Sequence, residues 1–276
     1  MCKMLGECLD RVRQRAPLVH NITNYVTAND VANVLLACGG SPIMADGIQD
    51  VEDIAALCGA LTINLGTLHQ ETVPSMLAAG RRAGALGHPV VLDPVGAGAS
   101  AARTQTALRL LEELPISVLR GNISEISALM TGSGQTRGVD AAGAQRVRED
   151  NLELAVALAK ETALHFGVIA AVTSAIDLIT DGSTCYVIRN GRPEMGRITG
   201  TGCQLSGLTA AFLAANPCQP LEAAAAAAAA MGLAGEIGWS HMAPQDGNAT
   251  YRHRIIDAIF HMDGTTLDRG ARYEIR

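Results

Sequence analysis

Three stretches of the chain set reactive side chains beside flexible backbone: Gly196–Gly207 (GRITGTGCQLSG), Asp93–Gly98 (DPVGAG) and Arg120–Glu125 (RGNISE). In the first, Gly200, Gly202 and Gly207 make the backbone permissive. The apolar, alanine-rich run after it (Leu208, Ala210, Ala211, Phe212, Leu213) predicts a buried helix starting near Thr201 or Gly202. A glycine-rich turn feeding a helix start aims unpaired N–H groups and the positive end of the helix dipole at one point, so Gly200, Thr201 and Gly202 read as an anion hole. Cys203 falls in the first helical turn, where a thiol is activated and can take a proton from an incoming hydroxyl. A tight turn capped by a small residue accounts for the same letters, and this segment alone leaves both readings open.

Asp93 ends an apolar strand and opens a loop whose glycines let a ligand approach closely; capping that loop is its competing role. Arg120 ends another strand. Asn122 and Glu125 follow, three apart at a helix start, and so share one face. A carboxamide and a carboxylate so placed either organise hydrated Mg²⁺ or cap the helix. Thr173, after Ala170–Val172, is a ligand contact or simply the last residue of a strand. His20 and Asn21 follow an apolar strand and read as hydrogen-bonded structure rather than catalysts. The conjunction decides: an anion hole, an arginine and two acidic groups on one sheet edge suit phosphoryl transfer, which needs positioning and charge neutralisation more than covalent chemistry.

Elements that can position these groups are legible along the chain. Residues 4–15 predict an amphipathic helix ending before Pro17. Short buried strands are predicted at Pro17–Ile22, Ser41–Met44, Ala60–Leu65, Pro89–Asp93, Ile116–Arg120 and Val168–Thr173. Helices over Asn24–Cys38, Asp50–Gly59, Gln70–Leu86, 101–114, Ser124–Met130 and within 140–166 separate them. Purely apolar strands alternating with helices predict a single α/β domain over 1–276, with a mostly parallel sheet covered on both faces and a ligand beyond the strand C-termini. After Thr173 the rhythm changes to Asp177–Thr180, an Asp181-Gly182 turn, Thr184–Arg189 and an Asn190-Gly191 turn, an appended antiparallel meander. Helices over 202–215, 219–238 and 248–262 follow, and 263–276 reads as a loosely held tail.

A formal charge of −6 and the lack of a basic stripe argue against nucleic-acid or anionic-membrane partners. The charged N-terminal stretch lacks the continuous apolar core of a secretory signal, and no stretch reads as a membrane span, Ala223–Ala230 being only eight small residues. The expected location is cytoplasmic. Seven cysteines, odd in number and without a C-x-x-C pair, read as reduced thiols. Only Lys3 and Lys160 are lysines and neither follows a glycine loop, which excludes a G-x-x-x-x-G-K phosphate loop.

In order along nearly the whole chain, PLVHNITNYVTANDVANVLLACGGSPIMA (17–45), INLGTL (63–68), VVLDPVGAGAS (90–100), RGNISEI (120–126), TDG (180–182) and GTGC (200–203) resemble the hydroxyethylthiazole kinases of the ribokinase-like superfamily. The resemblance implies a ribokinase-like three-layer fold and phosphorylation, with ATP and Mg²⁺, of the alcohol of 4-methyl-5-(2-hydroxyethyl)thiazole, a salvage step towards thiamine. It also implies a homotrimer with active sites between subunits. By the same resemblance Met44, Asn24, Gly66 and Gly200 bind the thiazole, Arg120, Thr173 and Asn122 contact ATP, Asp93 and Glu125 serve the metal, and Cys203 stands where most of the superfamily carries an aspartate base. Ser174-Ala175 departs from the glycine usual after that threonine, which bears on how adenine sits. Three alternatives are a kinase for another small heterocyclic alcohol of the hydroxymethylpyrimidine or pyridoxal type, a nucleotide-dependent NAD(P)H-hydrate dehydratase, and a sensor without turnover. The first is opposed by the Asn24–Met44 wall, the second by Cys203 in place of the aspartate of GTGD, and the third by the presence of Asp93, Glu125 and the glycine loop together.

Overall fold

Short apolar strands separated by helices assemble here into one nine-stranded sheet. The computed structural model describes residues 5–132 and 146–276. In chain order the first half comprises α1 (Gly6–Arg15), β1 (Leu18–Ile22), α2 (Ala28–Cys38), β2 (Ser41–Met44), α3 (Val51–Leu57), β3 (Ala60–Asn64), α4 (Thr72–Ala85), β4 (Val90–Asp93), α5 (Ala101–Glu113), β5 (Val118–Asn122) and α6 (Ile123–Thr131). The second half comprises α7 (Leu152–Phe166), β6 (Ile169–Thr173), β7 (Asp177–Thr180), β8 (Cys185–Ile188), α8 (Thr201–Ala215), α9 (Pro220–Ser240), α10 (Asn248–His261), α11 (Gly264–Gly270) and β9 (Tyr273–Ile275).

Strand order is β2-β1-β3-β4-β5-β6-β7-β8-β9, parallel from β2 to β6 and antiparallel from β6 to β9. Because side chains alternate along a strand, each strand feeds two cores. Val19, Ala60, Val91, Val118 and Ala171 join α1, α2, α8, α9 and α10 in one. Leu61, Ile63, Leu92, Leu119 and Val172 join α3 to α7 in the other. Two helical layers therefore enclose the sheet, which is the three-layer α/β architecture expected from the sequence.

Ala223–Ala230 lie along α9 and are all at most 1% exposed, since methyl side chains let α9 press closely on α8, α10 and the meander. Contrary to the sequence reading, α9 is long and apolar enough to cross a membrane by length and composition, but most of it is buried inside the domain as a core helix. Two further expectations are corrected. Register with β6 (Val118↔Ile169 to Asn122↔Thr173) sets β5 two residues later than predicted, so Arg120 sits mid-strand rather than at the strand end. Residues 263–276 are not a loose tail: α11 packs on α1 and α9, and β9 closes the sheet against β8 (Tyr186↔Ile275, Ile188↔Tyr273). Asn190 anchors that end, accepting from Arg272 N–H at 2.7 Å and donating to Gly270 O at 3.0 Å. A three-residue strand whose partner lies some 85 positions earlier carries too little periodicity to be read locally. The first residues of the helix expected within 140–166 lie outside the described residues; α7 forms its remainder.

Candidate active site

The chemically capable residues converge at the C-terminal ends of the parallel strands, beneath the N-terminus of α8. Alternation turns Asn64, Asp93 and Arg120 to the face of the sheet that α8 covers, and register sets Asn64 beside Asp93 on neighbouring strands. Gly200 caps α8 at φ +87°, and a Cβ there would lie 2.4 Å from Thr27 Cγ2, so this position needs glycine. The first N–H groups of α8, from Thr201 onward, have no partner within the helix and carry its positive dipole end. Gly202 brings α8 against Arg120, whose Nη1 would lie 2.5 Å from a Cβ at that position. Cation and helix terminus thus lie side by side, a pairing that suits a polyanion.

Asp93 is fully buried. Its Oδ2 accepts from Ser206 Oγ (2.8 Å), Asn64 Nδ2 (2.9 Å) and Arg120 Nη1 (3.4 Å), whereas Oδ1 has no hydrogen-bond partner. Arg120 Nη2 donates to Thr173 Oγ1 at 2.8 Å, tying β4, β5 and β6 together. Cys203, half-buried, lies between two carboxamides: Asn24 Nδ2 donates to its Sγ at 3.2 Å and Asn64 Nδ2 at 3.3 Å. Asn24 is itself oriented by Thr27, whose N–H and hydroxyl both donate to Asn24 Oδ1 (3.1 and 3.0 Å). Gly66 donates its N–H to Asn64 Oδ1 at 2.8 Å, which brings the loop after β3 into the same network.

Asn122 and Glu125 form a reciprocal cap of α6: Glu125 N–H donates to Asn122 Oδ1 and Asn122 N–H to Glu125 Oε2, both at 2.9 Å. Glu125 Oε1 also accepts from Gly96 N–H at 2.9 Å, joining the glycine loop after β4 to α6. Burial pushes the Glu125 carboxyl above its usual range, and these two backbone donors oppose that rise. Met44 lies at the end of edge strand β2, opposite Asn21 in register, and is exposed. His20 is fully buried, bonded through Nε2 to Ala45 O at 2.8 Å, and burial lowers its imidazole pKa. The Nε2 contact is the hydrogen-bonded setting that its sequence context suggested, and Nδ1 is buried without a partner.

Asn64, Ser206 and Arg103 were missed from the sequence. The signal for Asn64 was available: it is a polar residue ending an apolar strand, as Asp93 is. Ser206 is three residues after Cys203 on one helix face, a spacing that marks both. Arg103 carried no signal; from α5 it donates to Gly66 O (2.6 Å) and Val95 O (3.4 Å), strapping the loop after β3 to the loop after β4. A separate cavity of about 490 Å³ on α9 to α11, lined by His241, Arg254, Asp257 and His261 among others, includes none of these residues.

A model of the hydroxyethylthiazole kinase family matches residues 9–264. A hydroxyethylthiazole kinase of Clostridium acetobutylicum is 54% identical over 271 residues, covering 98% of this chain and 99% of that protein. The solved hydroxyethylthiazole kinase of Pyrococcus horikoshii superposes with a TM-score of 0.88 at 36% identity, covering 99% of each chain. A ribokinase-like superfamily protein of Enterococcus faecalis shares the fold alone, with a TM-score of 0.61 at 13% identity over 91% of this chain and 88% of that one. Architecture, strand-end residues and full-length similarity agree, and the chain belongs to the hydroxyethylthiazole kinase family, phosphotransferases of ribokinase-like fold.

Proposed function

We propose that the chain transfers the γ-phosphoryl group of ATP to the hydroxyl of 4-methyl-5-(2-hydroxyethyl)thiazole, a cytoplasmic salvage step towards thiamine. The observation that carries this reading is the Cys203 sulfur, held by Asn24 and Asn64 at the N-terminus of α8 beside the Arg120–Asp93 pair. The thiazole lies against Met44, Asn24, Gly66 and Gly200. Arg120, Thr173 and Asn122 face the nucleotide, and the γ-phosphate rests on the N–H groups of Gly200 to Cys203.

As the hydroxyl oxygen bonds to the γ-phosphorus, the bond from that phosphorus to the β–γ bridging oxygen breaks and ADP leaves with its electron pair. Cys203 acts as the thiolate, its own proton having gone to solvent; the hydroxyl proton passes to the sulfur and is then released to solvent in its turn. Such a transition state is loose, so early removal of the proton gains little, and the sulfur contributes about one to two orders of magnitude. Arg120 and the helix terminus take the larger share by neutralising phosphate charge in a buried setting.

Mg²⁺ bound with the nucleotide would neutralise phosphate oxygens, and the residues present fit it. Asp93 Oδ1 is a buried carboxylate oxygen without a partner, and Glu125 lies one loop away with both oxygens already accepting from N–H groups, a position suited to contact through water. Among the described residues no cluster of three or more His, Cys, Asp or Glu stands ready as a protein cage.

We further propose a homotrimer with sites between subunits. Its support is an apolar rim at the thiazole wall: Tyr25, Val26, Met44 and Ile48 are 65%, 67%, 39% and 53% exposed, and Tyr25 is tied by hydrogen bonds to Thr67 and Asp46. The count of three rests on the family resemblance. The test of the activity is a coupled ADP-release assay with Mg·ATP and hydroxyethylthiazole, hydroxymethylpyrimidine, pyridoxal or hydrated NADH, the product being confirmed by mass. ADP release dependent on the thiazole is expected; turnover of another member alone overturns the substrate assignment while leaving the anion site in place.

A further inference from the structure

Asn64 uses every hydrogen-bonding capacity that a carboxamide has. Its two N–H bonds go to Asp93 Oδ2 (2.9 Å) and Cys203 Sγ (3.3 Å), and its oxygen accepts from Asn24 Nδ2 (3.0 Å) and Gly66 N–H (2.8 Å). The orientation of the amide is not free. Turned over, it would set its NH₂ against the Gly66 N–H, which can only donate, and its oxygen against the Asp93 carboxylate, which accepts. Asn64 is buried, and it ends β3 in register with Asp93 on β4, so the planar group is fixed at its root as well as at its tip.

We infer that Asn64 is a positioning residue for phosphoryl transfer, holding the Cys203 sulfur and the Asp93 carboxylate in one frame with the substrate loop at Gly66. The inference rests on the reading of Cys203 as the proton acceptor. Two groups that bear negative charge during the reaction share the two hydrogens of one NH₂, which lies between them and offsets their mutual repulsion. Asn24 gives the sulfur a single donor and makes no bond to Asp93, so it fixes the sulfur's distance but not its bearing on the carboxylate. Without Asn64 the sulfur is free to turn about its side-chain bond and the acceptor is lost from its place beside the hydroxyl. Reaction geometry of this kind is sensitive to displacements of about 1 Å.

The test is a double-mutant cycle on Asn64 and Cys203, joined to peptide-resolved alkylation. Asn64→Asp keeps the size and the accepting oxygen but replaces the NH₂ by an oxygen; Asn64→Ala is the second variant, should the added charge hinder folding. In single turnover with Mg·ATP and the thiazole alcohol, each is expected to lower the rate about tenfold or more, with KM for the alcohol within about threefold. In the Cys203→Ser background the further loss is expected to be at least about threefold smaller than in the parent, because the sulfur is then no longer there to position and only the bond to Asp93 is left to lose. Alkylation of Cys203 by iodoacetamide, followed at its own peptide with exposed Cys218 as internal reference, is expected to slow about fivefold or more in Asn64→Asp. Equal losses in both backgrounds with unchanged alkylation overturn the inference and reduce Asn64 to loop packing. If Cys203→Ser turns over as fast as the parent, the proton-acceptor reading fails, and the alkylation result still decides whether Asn64 holds the sulfur.

Discussion

Gly202→Ala separates what the proposed anion site needs from what α8 needs. The position lies in the first turn of α8, and a methyl group there improves helix propensity by about 0.5–1 kcal/mol. The same methyl carbon would lie 2.5 Å from Arg120 Nη1, 2.7 Å from Nη2 and 3.0 Å from Cζ. Ordinary contact between such atoms is about 3.5 Å, so the guanidinium must retreat by about 1 Å. It has little room to do so, being 11% exposed and held to Asp93 (3.4 Å) and Thr173 (2.8 Å). Losing one charge-assisted bond costs about 1.5–3 kcal/mol, which exceeds the gain in propensity by about 0.5–2.5 kcal/mol. A shift of about 2–4 °C in Tm for each kcal/mol then lowers the melting temperature by about 1–10 °C, so the variant stays folded at assay temperature. Activity has no offsetting term. Moving the cation away from the phosphate site is worth about 2–3 kcal/mol in the transition state, a fall of about 30- to 150-fold in kcat/KM for ATP. Initial rates against ATP, with a thermal melt on the same sample, measure both quantities. Gly196→Ala is the control, since nothing lies within 4 Å of a Cβ there. Turnover by Gly202→Ala within about threefold of the parent would falsify the claim that Arg120 must approach the helix terminus this closely.

Cys203→Ser is expected to lower kcat about ten- to a hundredfold and Cys203→Asp to leave it intact or raise it; complete loss in the serine variant with an unchanged melt contradicts the modest role given to the base. Glu125→Gln keeps one accepting oxygen for the two N–H groups at Asn122 and Gly96, so it should lose about 1 kcal/mol, read as a drop of about 2–4 °C in Tm at pH 8, and an unchanged Tm contradicts the capping role. Burial pushes the half-buried Asp177 carboxyl up to about 7, against the opposing Ser174 N–H and the more distant Arg120 charge. A carboxyl raised in the fold holds its proton there after the unfolded chain has released it, so its contribution to stability is complete below the ordinary value of 3.8 and is lost as pH rises towards 7. Asp177→Asn is therefore expected to flatten Tm against pH across that window and to raise Tm at pH 8; a lower Tm at pH 8 with an unaltered slope sinks this assignment.

Much of the site was legible because strand ends and helix starts announce themselves locally. Gly200 to Cys203 follow a glycine turn into an apolar run, and Asp93 closes an apolar strand; the structure sets both where that grammar puts them. Asn122 and Glu125 had two readings, and the cap is directly visible in the reciprocal bonds. Asn64 escaped notice because an asparagine at a strand end is ordinary turn chemistry until its neighbours across the sheet are known. Arg103 reaches loops 37 and 8 positions away in sequence, and no local periodicity records such a reach. The same holds for β9, whose pairing with β8 spans nearly ninety residues, whereas α9, expected over 219–238, forms over Pro220–Ser240. Position along the chain revealed the groups, while sheet register determined which of them meet.

The central claim is that phosphoryl transfer takes place at the N-terminus of α8, between Arg120 and Cys203. A crystal structure with a non-hydrolysable ATP analogue, Mg²⁺ and the thiazole alcohol tests it most directly. The account predicts the terminal phosphate within hydrogen-bond distance of the N–H groups of Gly200–Cys203 and of the Arg120 guanidinium, with the alcohol oxygen beside Cys203 Sγ. A terminal phosphate bound elsewhere, with Arg120 still joined to Asp93 and Thr173 and the α8 terminus facing solvent, contradicts it.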